Sequence, residues 1–116
     1  MLAGCGSSKP AYCSDRANLE SSVKQVPGLA TSANLSGLRT QVDKIQAEAT
    51  TLANSAKSDF PTETSALERD VDALVSSVKD LPSNPSAQAL AKVGLNAATA
   101  VSAVSNFANA SNSKCS

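Results

Sequence analysis

No histidine occurs in the chain. The usual catalytic base and the commonest metal ligand are therefore both missing. Neither a Ser-His-Asp nor a Cys-His arrangement can be assembled, and the carboxylate-plus-His set of a di-iron bundle is also out of reach. An enzyme is accordingly the weakest reading, with no catalytic residue, metal ligand or cofactor to nominate. Tryptophan is absent too, and Tyr12, Phe60 and Phe107 are the only aromatic residues. A core must then come from Leu, Val and Ala. Burying a Leu or Val stabilises by roughly 1.5–3 kcal/mol and an Ala by much less. Close helix–helix approach through small residues, or a covalent staple, would help offset the entropy of ordering the chain. Ten basic residues balance ten acidic ones and form no cluster, which sets aside a nucleic-acid partner. Beyond Asp80 only Lys92 and Lys114 carry charge.

What the chain does have is helical periodicity. Leu35, Leu38, Val42, Ile45, Ala49, Leu52 and Ala56 alternate at spacings of three and four, the stripe of a helix that packs against partners. The same alternation recurs at Leu67, Val71, Leu74, Val78 and Leu81. It returns at Ala87, Leu90, Gly94, Ala97, Val101, Val104 and Ala108, where Val93, Ala100 and Phe107 widen the face and Gly94 is expected to admit a neighbouring helix closely. Leu19, Val23 and Val26 mark a shorter first helix, expected to start at a Ser14 or Asp15 cap and to stop at Pro27-Gly28. Asn34 or Ser32 is the expected cap of the second helix, and Asn84-Pro85 of the last. The predicted helices span 14–26, 34–58, 62–81 and 85–111. Arg16–Glu20, Glu20–Lys24, Arg39–Asp43 and Lys44–Glu48 are candidate i,i+4 pairs. Glu63, Glu68, Asp70 and Asp72 sit in helical sequence without a Gly-turned loop, so a solvated face suits them better than a Ca²⁺ site. Tyr12 is expected to pack over the end of the fold, and Phe60 and Phe107 to plug helix ends.

Near the start of the chain, Leu2-Ala3-Gly4-Cys5 resembles the lipobox of bacterial lipoproteins. The resemblance implies cleavage before Cys5 and diacylglycerol on its thiol, with Ala3 and Gly4 fitting the peptidase. Gly6, Ser7 and Ser8 resemble the flexible tether that follows in such proteins. Residues 1–12 thus read as a signal-peptide remnant with lipobox and tether, although only Met1 precedes the motif where the family carries a basic and then an apolar segment. With Cys5 lipidated, Cys13 and Cys115 remain as an even pair bracketing residues 13–116, which in an exported protein implies a disulfide. Closing that loop would stabilise by roughly 4–5 kcal/mol in the chain-entropy model.

The disulfide chooses the architecture. A final helix over 85–111 is about 40 Å long at 1.5 Å per residue, whereas bridged cysteines keep their Cα atoms within roughly 7 Å. An all-α, antiparallel up-down-up-down four-helix bundle returns Cys115 to the end where Cys13 begins. The function expected is that of an extracytoplasmic lipoprotein of the cell membrane with a structural or protein-interaction role. It would be held to the membrane through Cys5 and would meet an unidentified protein partner. Val93, Ala97, Ala100, Val104 and Phe107 either fill the bundle interior or, if exposed, offer a weakly polar interaction face. The alternatives are a carrier of a small apolar ligand in the bundle interior, or a cytoplasmic coiled-coil adaptor should the lipobox be accidental.

Overall fold

The computed structural model describes residues 10–115. Of these, 83% are helical and none lies in a strand. The elements are α1 (Tyr12–Lys24), α2 (Val26–Thr31), α3 (Leu35–Ala56), α4 (Pro61–Lys79), α5 (Ala87–Ala110) and α6 (Asn112–Cys115). Lipobox residues Leu2 to Cys5 lie outside the described residues, as does the tether through Ser8. The molecule measures 51 × 27 × 18 Å along its principal axes. Helix α4 lies against α3 and α5, while α1 and the short α2 each lie against α3 and α5.

Apolar periodicity makes α3 and α4. Leu38, Val42, Ile45, Ala49, Leu52 and Ala56 are buried along α3, and Leu67, Val71, Leu74 and Val78 along α4. The start of α3 is fixed by Asn34, whose side-chain oxygen accepts from the Gly37 N–H at 3.0 Å. A Cβ on Gly37 would fall 2.7 Å from Asn34 Nδ2, so a larger residue there would have to displace the capping side chain. Leu81 stays buried just beyond α4, and Pro82 holds it out of the helical conformation.

The first helix departs from expectation at both ends. It begins at Tyr12, without a side-chain cap, rather than at Ser14. Burial of Tyr12 and the approach of Cys13 to Cys115 bring two further residues into the helix. The break falls at Gln25 instead of Pro27-Gly28, and Pro27 sits in the first turn of α2. A first-turn proline forfeits no helical hydrogen bond and brings the right φ. The turn out of α2 is made by Ala33 at φ 54°, a left-handed position that glycine usually fills.

Helix α5 also differs in start and phase. Ser86 rather than Asn84 is its cap, accepting from the Ala89 N–H at 3.1 Å, so Pro85 precedes the helix instead of opening it. The buried stripe is Val93, Ala97, Ala100, Val104 and Phe107, with Ala103 at its edge. Ala87 is exposed, and Leu90, Gly94, Val101 and Ala108 are half-buried. The larger side chains Val93 and Phe107 win the interior over Gly94 and Ala108, because burial free energy scales with apolar area.

Gly94 admits no close neighbour, since a Cβ placed there would meet nothing within 4 Å. Gly94→Ala therefore gains helix propensity without a clash, and stability is expected to rise by about 0.8–1 kcal/mol. A urea midpoint that stays unchanged or falls would contradict the open position of this residue.

Candidate functional site

The chemistry-bearing side chains of the described region gather where α1 begins and α5 ends. Cys13, in the first turn of α1, and Cys115, in the short α6, have Cα atoms 5.6 Å apart and sit at disulfide distance across 102 residues of sequence. In the chain-entropy model a loop of that size restricts the unfolded chain by about 4.7 kcal/mol.

The neighbouring residues join the same ends by other means. All three aromatic rings of the chain meet here. Tyr12 lies 5.8 Å from Phe60 and 5.6 Å from Phe107, and the two Phe rings are 5.5 Å apart, each pair edge-to-face. Pairs of this geometry contribute about 0.5–1.5 kcal/mol beyond their area burial. They tie the start of α1 to the α3–α4 connection and to the last turn of α5. Arg16 reaches across to α5, donating from Nη1 to the Ala108 carbonyl at 2.8 Å and to Ser111 Oγ at 2.7 Å. Ser111 is fully buried, and its hydroxyl donates back to the Phe107 carbonyl at 2.8 Å. A guanidinium at the C-terminal end of a helix meets unsatisfied carbonyls and the negative end of the dipole. Arg16 is thus committed to α5 rather than to Glu20, its expected partner one turn away.

The other expected ion pairs fare unevenly. Glu20–Lys24 forms at 3.5 Å, whereas Asp43 faces Lys79 of α4 at 3.6 Å. Exposed pairs of this kind contribute at most about 1 kcal/mol. Glu48 turns Oε1 inward beside Asp15 and Asn18, where it finds no hydrogen-bond partner among the described residues. Asp70 lies 3.5 Å from Arg69, and Glu68 and Asp72 are exposed on α4. No group of three or more acidic or cysteine side chains able to hold a metal ion occurs among the described residues.

Of the residues nominated from sequence, Cys13 and Cys115 are brought together and Cys5 lies outside the described residues. Val93, Ala97, Ala100, Val104 and Phe107 are 0–1% exposed, so they form part of the core and present no face to a partner. The surface of α5 lies on its opposite side, around Leu95. No helix among the described residues is long and apolar enough to cross a membrane. The chain matches no protein-family model, no curated protein and no solved structure.

Tyr12 gives this site an optical readout. Its hydroxyl donates to Asp59 Oδ2 at 3.1 Å. Burial, then the hydrogen bond to Asp59 and that carboxylate's charge, push the phenol above its ordinary value of 10.0, with Arg16 pulling weakly the other way. The folded state holds this proton more tightly than the unfolded chain does. The associated stability is complete below about pH 10 and is lost as pH rises through the raised folded value. As the sole tyrosine in a chain without tryptophan, Tyr12 can be titrated by phenolate absorbance. The native midpoint is expected above that of the denatured chain. Coincident midpoints would remove the Asp59 contact.

Proposed function

We propose that this chain is a lipid-anchored, extracytoplasmic helical protein with a structural or protein-interaction role and no catalysis of its own. The observation that carries the reading is the Cys13–Cys115 pair at disulfide distance. Both cysteines are half-exposed, within reach of soluble thiols, and a bridge in such a position persists in an oxidising compartment. The lipobox resemblance at Leu2-Ala3-Gly4-Cys5 adds the means of retention. A single acyl chain binds a membrane only marginally, so the diacylglycerol on Cys5, with or without a third chain on its amino group, is the anchor.

The architecture that goes with this reading is an antiparallel up-down-up-down four-helix bundle. Its legs are α1 with α2, then α3, α4 and α5. The proximity of the two cysteines supports it, as does the meeting of Tyr12, Phe60 and Phe107, which in such a bundle occupy one end. The tether leaves from that end, so a bundle 51 Å long projects its far tip away from the lipid surface. The carrier alternative has less behind it, because Val93, Ala97, Ala100 and Val104 occupy the interior where a ligand would sit.

Fractionation of the native host tests the anchor. The wild-type protein is expected with membranes and in the detergent phase, and a Cys5→Ala variant expressed from the same locus in the soluble fraction. Identical partitioning of the two would sink the lipoprotein reading.

A further inference from the structure

Helix α2 has little to hold it in place. Its 6 residues fall well short of the ~12–15 at which a helix becomes marginally stable by itself in water. Gly28, inside it, lowers its helix propensity further. Packing must therefore keep α2 where it is, and along its length Val26 and Ala30 are the buried residues, while Pro27, Gly28 and Thr31 are exposed. Contact with α5 is incomplete. A groove of about 240 Å³ separates Pro27 and Ala30 on one wall from Leu90, Ala91 and Gly94 on the other. Polar links to the neighbouring helices do not make up the difference. Thr31 and Ser32 donate their hydroxyls to the carbonyls of Pro27, Gly28 and Leu29, within α2 itself, and the remaining side chains of α2 are apolar.

The exit from α2 is strained. Ala33 and Asn34 donate their N–H groups to the carbonyls of Ala30 and Leu29, both at 3.0 Å. This pair of bonds closes a helix whose following residue is left-handed, a place usually given to glycine. Here Ala33 takes it, at φ 54°, with its Cβ crowded against the backbone. That strain is relieved when α2 leaves its packed position.

Both flanks, by contrast, are clamped. Gln41 of α3 donates from Nε2 to the Ser22 carbonyl near the end of α1 at 2.8 Å, and Asn34 caps the start of α3. Between these clamps, the break at Gln25 and the turn at Ala33 are the two points where the chain can absorb a change of direction. We propose that α2 is a strap that swings open as one unit about Gln25 and Ala33 while α1, α3, α4 and α5 stay packed. Opening withdraws Val26 and Ala30 from the core. It turns the narrow groove into an apolar cleft whose remaining wall is Leu90, Ala91 and Gly94. Burial of one valine and one alanine holds the strap shut, so the open form is a minor state in equilibrium with the closed one. The inference does not involve the lipid anchor.

Native-state hydrogen exchange of the full 116-residue chain, with its cysteines oxidised, tests the strap. Amides of Leu29, Ser32, Ala33 and Asn34 report on α2, and those of the buried Ile45, Leu52 and Leu74 on α3 and α4. The α2 amides are expected to share one protection factor, roughly tenfold or more below that of the core amides. Val71→Ala weakens the core of α4 and is expected to lower core protection roughly tenfold while leaving that of α2 unchanged. Ala33→Gly removes the strain and is expected to raise α2 protection roughly fivefold. Protection in α2 equal to the core and falling with it in Val71→Ala would mean that α2 opens only on global unfolding, which overturns the proposal. Unequal protection from one α2 amide to the next, or no gain in Ala33→Gly, overturns it as well.

Discussion

Joining the first turn of α1 to the end of α5 is the constraint on which the remaining structure leans. Cys13 and Cys115, at disulfide distance, span almost the whole described chain; two further links fasten the same two ends, and a third ties α1 to the α3–α4 connection. Tyr12 meets the ring of Phe107, Arg16 donates to the Ala108 carbonyl and the Ser111 hydroxyl at the end of α5, and Tyr12 hydrogen-bonds to Asp59 of the α3–α4 connection. The links use different physical interactions, although Tyr12 serves both the aromatic contacts and the hydrogen bond to Asp59. Reduction of the cysteines would widen the unfolded ensemble without removing a single apolar contact.

The composition explains why such a closure matters. Along α3 and α5 many interior positions are alanine, among them Ala49, Ala53, Ala56, Ala97, Ala100 and Ala103. Alanine permits close helix approach but returns little free energy for the area it buries. The large apolar side chains that compensate are Leu19, Leu38, Ile45, Leu52, Leu67 and Leu74 along the body, with Tyr12 and Phe107 at the closed end. A core of this kind is thin per residue, and restricting the unfolded chain by a few kcal/mol is then comparable with the whole net stability of an ordinary domain.

Much of this was legible in the sequence where the side chains were large and regularly spaced. The stripes of α3 and α4 follow directly from Leu, Val and Ile at intervals of three and four. The pairing of Cys13 with Cys115 follows only once the lipobox resemblance sets Cys5 aside and leaves an even pair. The phase of α5 was not legible, because counting Gly94, Ala87 and Ala108 as equal to Val93 and Phe107 ignores how much more area these two bury; the phase they set carries Ala97 and Ala100 inward and leaves Leu90 and Val101 half-buried. The break after α1 was misplaced because proline reads equally as the end of one helix and the first turn of the next. Tyr12, Phe60 and Phe107 could each be assigned to a helix end, but nothing local joins residues 47 or 48 positions apart into one cluster. Arg16 gave no sign of its true partner, since Glu20 stood at the more obvious spacing.

The most direct measurement is the intact mass of the protein recovered from its native host, with thiol alkylation carried out before and after reduction. The expected result is that Cys13 and Cys115 resist alkylation until reduced and then both take up label. Uptake of label by both cysteines without reduction would contradict the closure from which the compartment, the bundle parity and the function are argued.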